Sequence, residues 1–139
     1  MGIERVHPPS LFVAKHDGTP VFAQVVAVDG PMRLVHTAGQ VSMDAAGNVI
    51  GRGDVRAQYI QIMENLTHCL AAVGGSLSDI IKTTAFVVDI NDYRKVGDLR
   101  AKYFGPHPPA SSTVQVSALA NPDFLVEIEA VAALEARAP

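Results

Sequence analysis

Apolar and polar positions change rhythm several times along this chain, and each change marks an element. Val21–Val28 (VFAQVVAV) is β-branched and apolar and reads as a strand. Asp29-Gly30-Pro31 reads as a turn, Leu34–Val41 as the next strand, and Asp44-Ala45-Ala46-Gly47-Asn48 as another turn. Val55, Tyr59, Met63, Leu66, Leu70 and Val73 then recur at spacings of three and four, the stripe of an amphipathic helix. Asp54 is its expected N-cap and Gly74-Gly75 its stop. Ile80–Ile90 (IIKTTAFVVDI) is apolar on both parities and predicts a strand covered on both faces. Asn91 is expected to cap a second helix, with Asp92 in its first turn and Tyr93, Val96 and Tyr103 on its inner face. Prolines make Phe104–Pro109 a loop. Thr113–Leu119 and Phe124–Leu134 predict the last two strands, joined by a turn at Ala120-Asn121-Pro122-Asp123. The order β-β-α-β-α-β-β, with an extra N-terminal strand, predicts an α+β two-layer domain: a mixed β-sheet with two helices on one face.

Composition adds an assembly to this picture. The 139 residues suit one domain, spanning 1–139. With 48% hydrophobic and 18% charged residues, and a mean hydropathy of +0.20, the chain carries more apolar surface than a small monomer readily covers. An oligomer is therefore expected. The net charge is −3 and no Lys/Arg cluster exists, which argues against a nucleic-acid partner. Cys69 is alone and reads as an inert buried thiol beside the helix stripe. No apolar run reaches the ~18 residues of a membrane span. No basic-then-apolar leader opens the chain, and Val6 stands where a myristoylation motif needs Ser or Thr. A cytoplasmic protein without a membrane partner is expected.

Several blocks, taken in order, carry a resemblance. They are Thr37-Ala38-Gly39-Gln40; Gln58, Asn65 and Leu66 with Gly74; Lys82-Thr83-Thr84; and Asp89-Ile90-Asn91-Asp92-Tyr93. Then come Pro109-Ala110-Ser111-Ser112-Thr113-Val114, Val114–Leu119 and Val126-Glu127-Ile128-Glu129-Ala130. From about Pro20 to Leu134 the chain resembles the RidA (YjgF) family of small enamine and imine deaminases. The resemblance implies a homotrimer with a chorismate-mutase-like barrel and clefts between subunits that take a small-molecule ligand. In that family an arginine grips the substrate carboxylate, and a glutamate with backbone groups positions the attacking water. Carried over, Gly39 and Glu127 survive, Glu127 as the catalytic group. The arginine becomes Ser111, and the residue two after it is Thr113. A tyrosine becomes Phe22, and an asparagine falls at Gly97. No cofactor is implied.

Losing one partner of a buried arginine–carboxylate pair typically costs roughly 3–5 kcal/mol, whereas a serine hydroxyl offers one hydrogen bond of about 1 kcal/mol. Another cation is therefore needed if a carboxylate is to bind. Arg100 is the candidate, since it lies one helical turn after Gly97 and shares its face; a solvated helix arginine is the competing reading. Glu127 and Glu129 share a strand face. Glu127 is read as a base lining the cleft, and Glu129 as structural. The Ser111–Thr113 hydroxyls are read either as neutral ligand contacts or as strand hydroxyls bonded to backbone, and no adjacent base marks a nucleophile. His107 reads as a loop-surface residue that overhangs the cleft in the competing view. His36 and His68 read as packed or exposed rather than catalytic. No pair has metal-ligand spacing, so no metal is expected. Two functions are open: an imine or enamine hydrolase with altered specificity, or a non-catalytic trimer that binds a small metabolite. RNA cleavage, a third label attached to the family, fits the acidic balance poorly.

Overall fold

The structure, a computed structural model, describes residues 1–139. The chain opens with β1 (Gly2–Val6), the extra strand foreseen. A short hairpin of β2 (Lys15–His16) and β3 (Thr19–Pro20) follows, and β4 (Val25–Asp29) returns antiparallel to β1. The strand expected over 21–28 thus begins only at Val25. Its first half is drawn elsewhere: the Ala23 N–H donates to the Pro109 carbonyl at 2.8 Å, and Ala23 lies parallel to Ala110.

Next come β5 (Met32–His36), β6 (Gln40–Val41), α1 (Val55–Ala71), β7 (Ile80–Val87), α2 (Ile90–Tyr93), α3 (Gly97–Phe104), β8 (Ala110–Gln115) and β9 (Val126–Glu135). Short 3-10 turns precede β7 and link α2 to α3. The main sheet runs β5-β9-β7-β8, with β6 also on β9. β7 and β8 are parallel and the other pairs antiparallel, so the sheet is mixed. The helices cover one face, giving the two-layer α+β arrangement.

The helix signals hold for physical reasons. Val55, Tyr59, Met63, Leu66 and Leu70 of the stripe are buried, joined by Ile62 and Gln58. The Asp54 carboxylate accepts the Ala57 N–H at 3.0 Å, and Gly74, at φ +85°, takes the left-handed turn that ends the helix. The second helix is capped by Asp89, not Asn91. The Asp89 carboxylate accepts the Asn91 and Asp92 N–H groups at 2.9 and 3.3 Å. β7 stops at Val87 rather than Ile90, which leaves Asp89 extended at the helix start, where its charge also suits the N-terminus.

β7 also corrects the double-cover expectation. Ile80, Thr83, Ala85 and Val87 are buried beneath the helices, while Lys82, Thr84 and Phe86 are only half-buried on the other face. Leu34 and Val114 are also exposed, at 54% and 43%. No element of the same chain covers that face. The last strands are offset from the expected ones: β8 starts at Ala110, where its parallel register with Lys82–Val87 begins, and ends at Gln115. β9 begins at Val126, after Gln58 has tied down the preceding turn. Its side-chain amide donates to the Gly51 and Asp123 carbonyls at 3.1 and 2.9 Å and accepts the Leu125 N–H at 2.9 Å.

Candidate active site: two walls on opposite faces of one sheet

The strand expected over 34–41 breaks at Thr37-Ala38-Gly39, and the break builds the first wall. His36 pairs with Val131 and Gln40 with Ile128, so residues 37–39 oppose only residues 129–130. This is a β-bulge, a device that re-aims side chains. Thr37 secures it: its N–H donates to the Ala130 carbonyl at 2.9 Å, and its hydroxyl accepts the Ala130 N–H at 3.0 Å. The bulge presses Gly39 against Glu127. A Cβ added to Gly39 would overlap the Glu127 Oε1 atom and lie 2.8 Å from Cδ. Only glycine leaves room for the carboxylate in this position, and the half-buried carboxylate rests on bare backbone.

The second wall lies on the helix side of the sheet. Ser111 and Thr113 pair with Thr83 and Ala85, both buried beneath the helices. The Thr83 hydroxyl donates to Ser111 Oγ at 2.9 Å, which fills one acceptor position of Ser111 and leaves its own O–H to donate. A narrow cleft bordered by Ser111, Thr83, Tyr59, Tyr93 and Arg100 has only about 10 Å³ of free volume. Beside it a cavity of about 260 Å³ is lined by Ile90, Tyr93, Arg94, Gly97, Arg100 and Thr113. The Arg100 guanidinium lies 5.9 Å from the Phe22 ring centroid, within cation–π range. Burial pushes the Tyr59 and Tyr93 phenols up, and the Arg100 charge pulls against that shift in both.

The model of the family described as Endoribonuclease L-PSP matches residues 19–134. The chain belongs to this family, the RidA (YjgF) family. It is 34% identical over 111 residues to human 2-iminobutanoate/2-iminopropanoate deaminase, covering 80% of this chain and 78% of that one. It is 35% identical over 117 residues to 3-aminoacrylate deaminase RutC of Acinetobacter baylyi, covering 84% and 92%. Among solved structures, the Rid protein YyfB of Yersinia pestis superposes with a TM-score of 0.82 at 31% identity, covering 96% of this chain and all of that one.

Set beside the RidA pattern, the six candidate residues divide. Gly39 and Glu127 meet on one face of the sheet; Ser111, Thr113, Phe22 and Arg100 gather on the other. Arg94 and Tyr93 join the second group without having been singled out as ligand contacts. The spacing Arg94-Gly97-Arg100 is the same three-residue step that marked Arg100, and it would have flagged Arg94 too. Gln58 and Asn65, part of the resemblance, hold backbone: the Asn65 amide donates to the Val41 and Met43 carbonyls at 3.0 and 3.1 Å. His107, His36 and His68 are exposed. Cys69 is half-buried rather than fully buried. Glu129, exposed, lines a cavity of about 120 Å³ on the uncovered face with His36, Lys82 and Thr84. No group of three or more His, Cys, Asp or Glu side chains is placed to hold a metal ion. No helix is long and apolar enough to cross a membrane.

Proposed function

We propose that this protein hydrolyses a small reactive imine or enamine to the carbonyl compound and ammonia, acting as a cytoplasmic homotrimer. The observation that carries the reading is the Glu127 carboxylate resting on Gly39. Deaminases at 34% and 35% identity support it. An enamine first takes a proton on carbon and becomes the imine. Water then adds to the C=N carbon while Glu127 accepts its proton. Glu127 returns that proton to nitrogen, and as the C–N bond of the carbinolamine breaks its hydroxyl proton passes to nitrogen as well, so ammonia leaves and a C=O bond remains. The two walls lie on opposite faces of one sheet, so a complete site calls for a neighbouring copy to bring its wall to this one. The uncovered face bearing Leu34, Phe86 and Val114 suits such an interface. The test is ammonia and ketoacid release from freshly generated 2-aminoacrylate. The native chain should accelerate release and Glu127→Gln should not; equal rates for both would sink the reading.

A second reading has its own observation. With Ser111 beside a cleft of only about 10 Å³ and no hydroxyl on Phe22, the second wall offers few neutral polar handles to a ligand. That favours a trimer that binds a metabolite without turning it over. A ligand-induced thermal shift with no product release would favour it. RNA cleavage is not adopted: the net charge is −3, and the function would require salt-sensitive RNA binding.

A further inference from the structure

We propose that the cavity between α3 and β8 is a carboxylate site of this chain, with Arg100 as the anchor and Arg94 at its mouth. The ligand's identity, a 2-imino acid and its 2-oxo acid product, rests on the hydrolase reading above; the site rests on geometry. The wall is first a matter of charge accounting. Along the segment from Asp89 to Phe104 every acid is committed elsewhere. Asp89 caps α2, Asp92 pairs with Lys95 at 2.6 Å, and Asp98 takes Arg56 through two bonds of 2.6 and 2.9 Å. Arg94 and Arg100 have no ion-pair partner. Both line the same cavity of about 260 Å³, and no acidic side chain lines it with them.

Space and donors complete the site. A Cβ at Gly97 would meet nothing within 4 Å, so the cavity is open where Gly97 stands between the two arginines in sequence. Arg100 is half-buried with its guanidinium within cation–π range of Phe22, and its N–H groups have no hydrogen-bond partner in the chain, so they are free for a carboxylate. Thr113, on the strand beneath, adds a neutral hydroxyl. Ser111, in contrast, is tied to Thr83 beside a cleft too tight for a ligand. The cation that strand β8 lacks at position 111 is thus supplied from helix α3.

The experiment is calorimetric titration of the native protein with 2-oxobutanoate, a stable carboxylate, beside Arg100→Gln, Arg100→Lys and Arg94→Gln. Thermal melts confirm that each variant is folded. The expected result is a loss of about thirtyfold in affinity for Arg100→Gln, as for a charged hydrogen bond at a half-buried position. Arg100→Lys should recover part of it. Arg94→Gln should lose roughly two- to fivefold, and less at high salt, as for an exposed charge. Native affinity in folded Arg100→Gln overturns the proposal, as does absence of binding to the native protein at millimolar ligand. Turnover separates this from the hydrolase reading. If native and Glu127→Gln release ammonia equally while Arg100 still governs binding, the hydrolase reading fails and the anion site stands.

Discussion

The two walls of the site are built and held in different ways. Gly39 and Glu127 sit on a bulge and a central strand pinned by neutral, buried hydrogen bonds from Thr37 and Gln58. Arg100 sits on α3, a helix fastened to α1 through the half-exposed Arg56–Asp98 pair. In the resemblance read from the sequence, the first wall keeps Gly39 and Glu127, and the departures expected at Ser111, Phe22 and Gly97 all fall on the second. The difference teaches where a fold tolerates change. Under the proposed function, the group that handles water is welded into the sheet, while the group that grips the ligand stands on a peripheral helix.

The strongest test of that division is Glu127→Gln. Loss of a general base should lower turnover of 2-aminoacrylate by about 10²–10⁴, with the melting temperature little changed; retained turnover would remove the first wall's chemical role. Gln58→Ala comes next. It strips partners from the Gly51 and Asp123 carbonyls and the Leu125 N–H, and should cost about 3 kcal/mol in denaturant unfolding, since each orphaned buried group costs roughly 1–3 kcal/mol. Ser111→Arg would place a second guanidinium beside Arg100 in a cleft of about 10 Å³. Overpacking of this kind costs typically 1–3 kcal/mol, and adding Arg100→Ala should recover part of it. If Ser111→Arg alone is neutral, the second wall is looser than its geometry indicates.

Smaller effects sharpen the same contrast. Gly39→Ala meets the far end of a flexible side chain, so Glu127 can swing aside. Activity should fall about tenfold, or 1.4 kcal/mol, with stability nearly unchanged; a large drop in melting temperature would contradict this. Asp98→Asn probes the pin of the second wall. Arg56 holds the Asp98 carboxyl down at about 2, below the ordinary carboxylate value near 4. A depressed folded value stabilises the protein above the unfolded value, and that contribution fades as pH falls through about 2. The native protein should therefore melt higher than Asp98→Asn at neutral pH, and the two curves should converge on acidification from about 4 to 2. Parallel curves would show that the pair contributes nothing.

What the sequence revealed follows the same divide between local and distant causes. The first helix was legible because its stripe, its Asp54 cap and Gly74 lie within the segment itself. The break at Thr37–Gly39 was not, because it depends on Ala130, far along the chain. The cap at Asp89 was missed in favour of Asn91 because both residue types cap and only the strand's end decides between them. The motif named Gly39 and Glu127, which lie against each other, and the three-residue step paired Arg100 with Gly97, which line one cavity. The Ser111–Thr83 bond was hidden because it requires the parallel register of β7 and β8.

The stacking of Arg100 on Phe22 bears on the cost of ordering a binding group. A free arginine side chain carries about 2 kcal/mol of rotamer freedom, which a ligand must suppress before it is gripped. Half-buried with its centre 5.9 Å from the Phe22 ring centroid, this guanidinium gives up part of that freedom during folding. An anion arriving at the cavity would meet a side chain with less freedom left to lose, so the Phe22 ring contributes through order rather than through a bond.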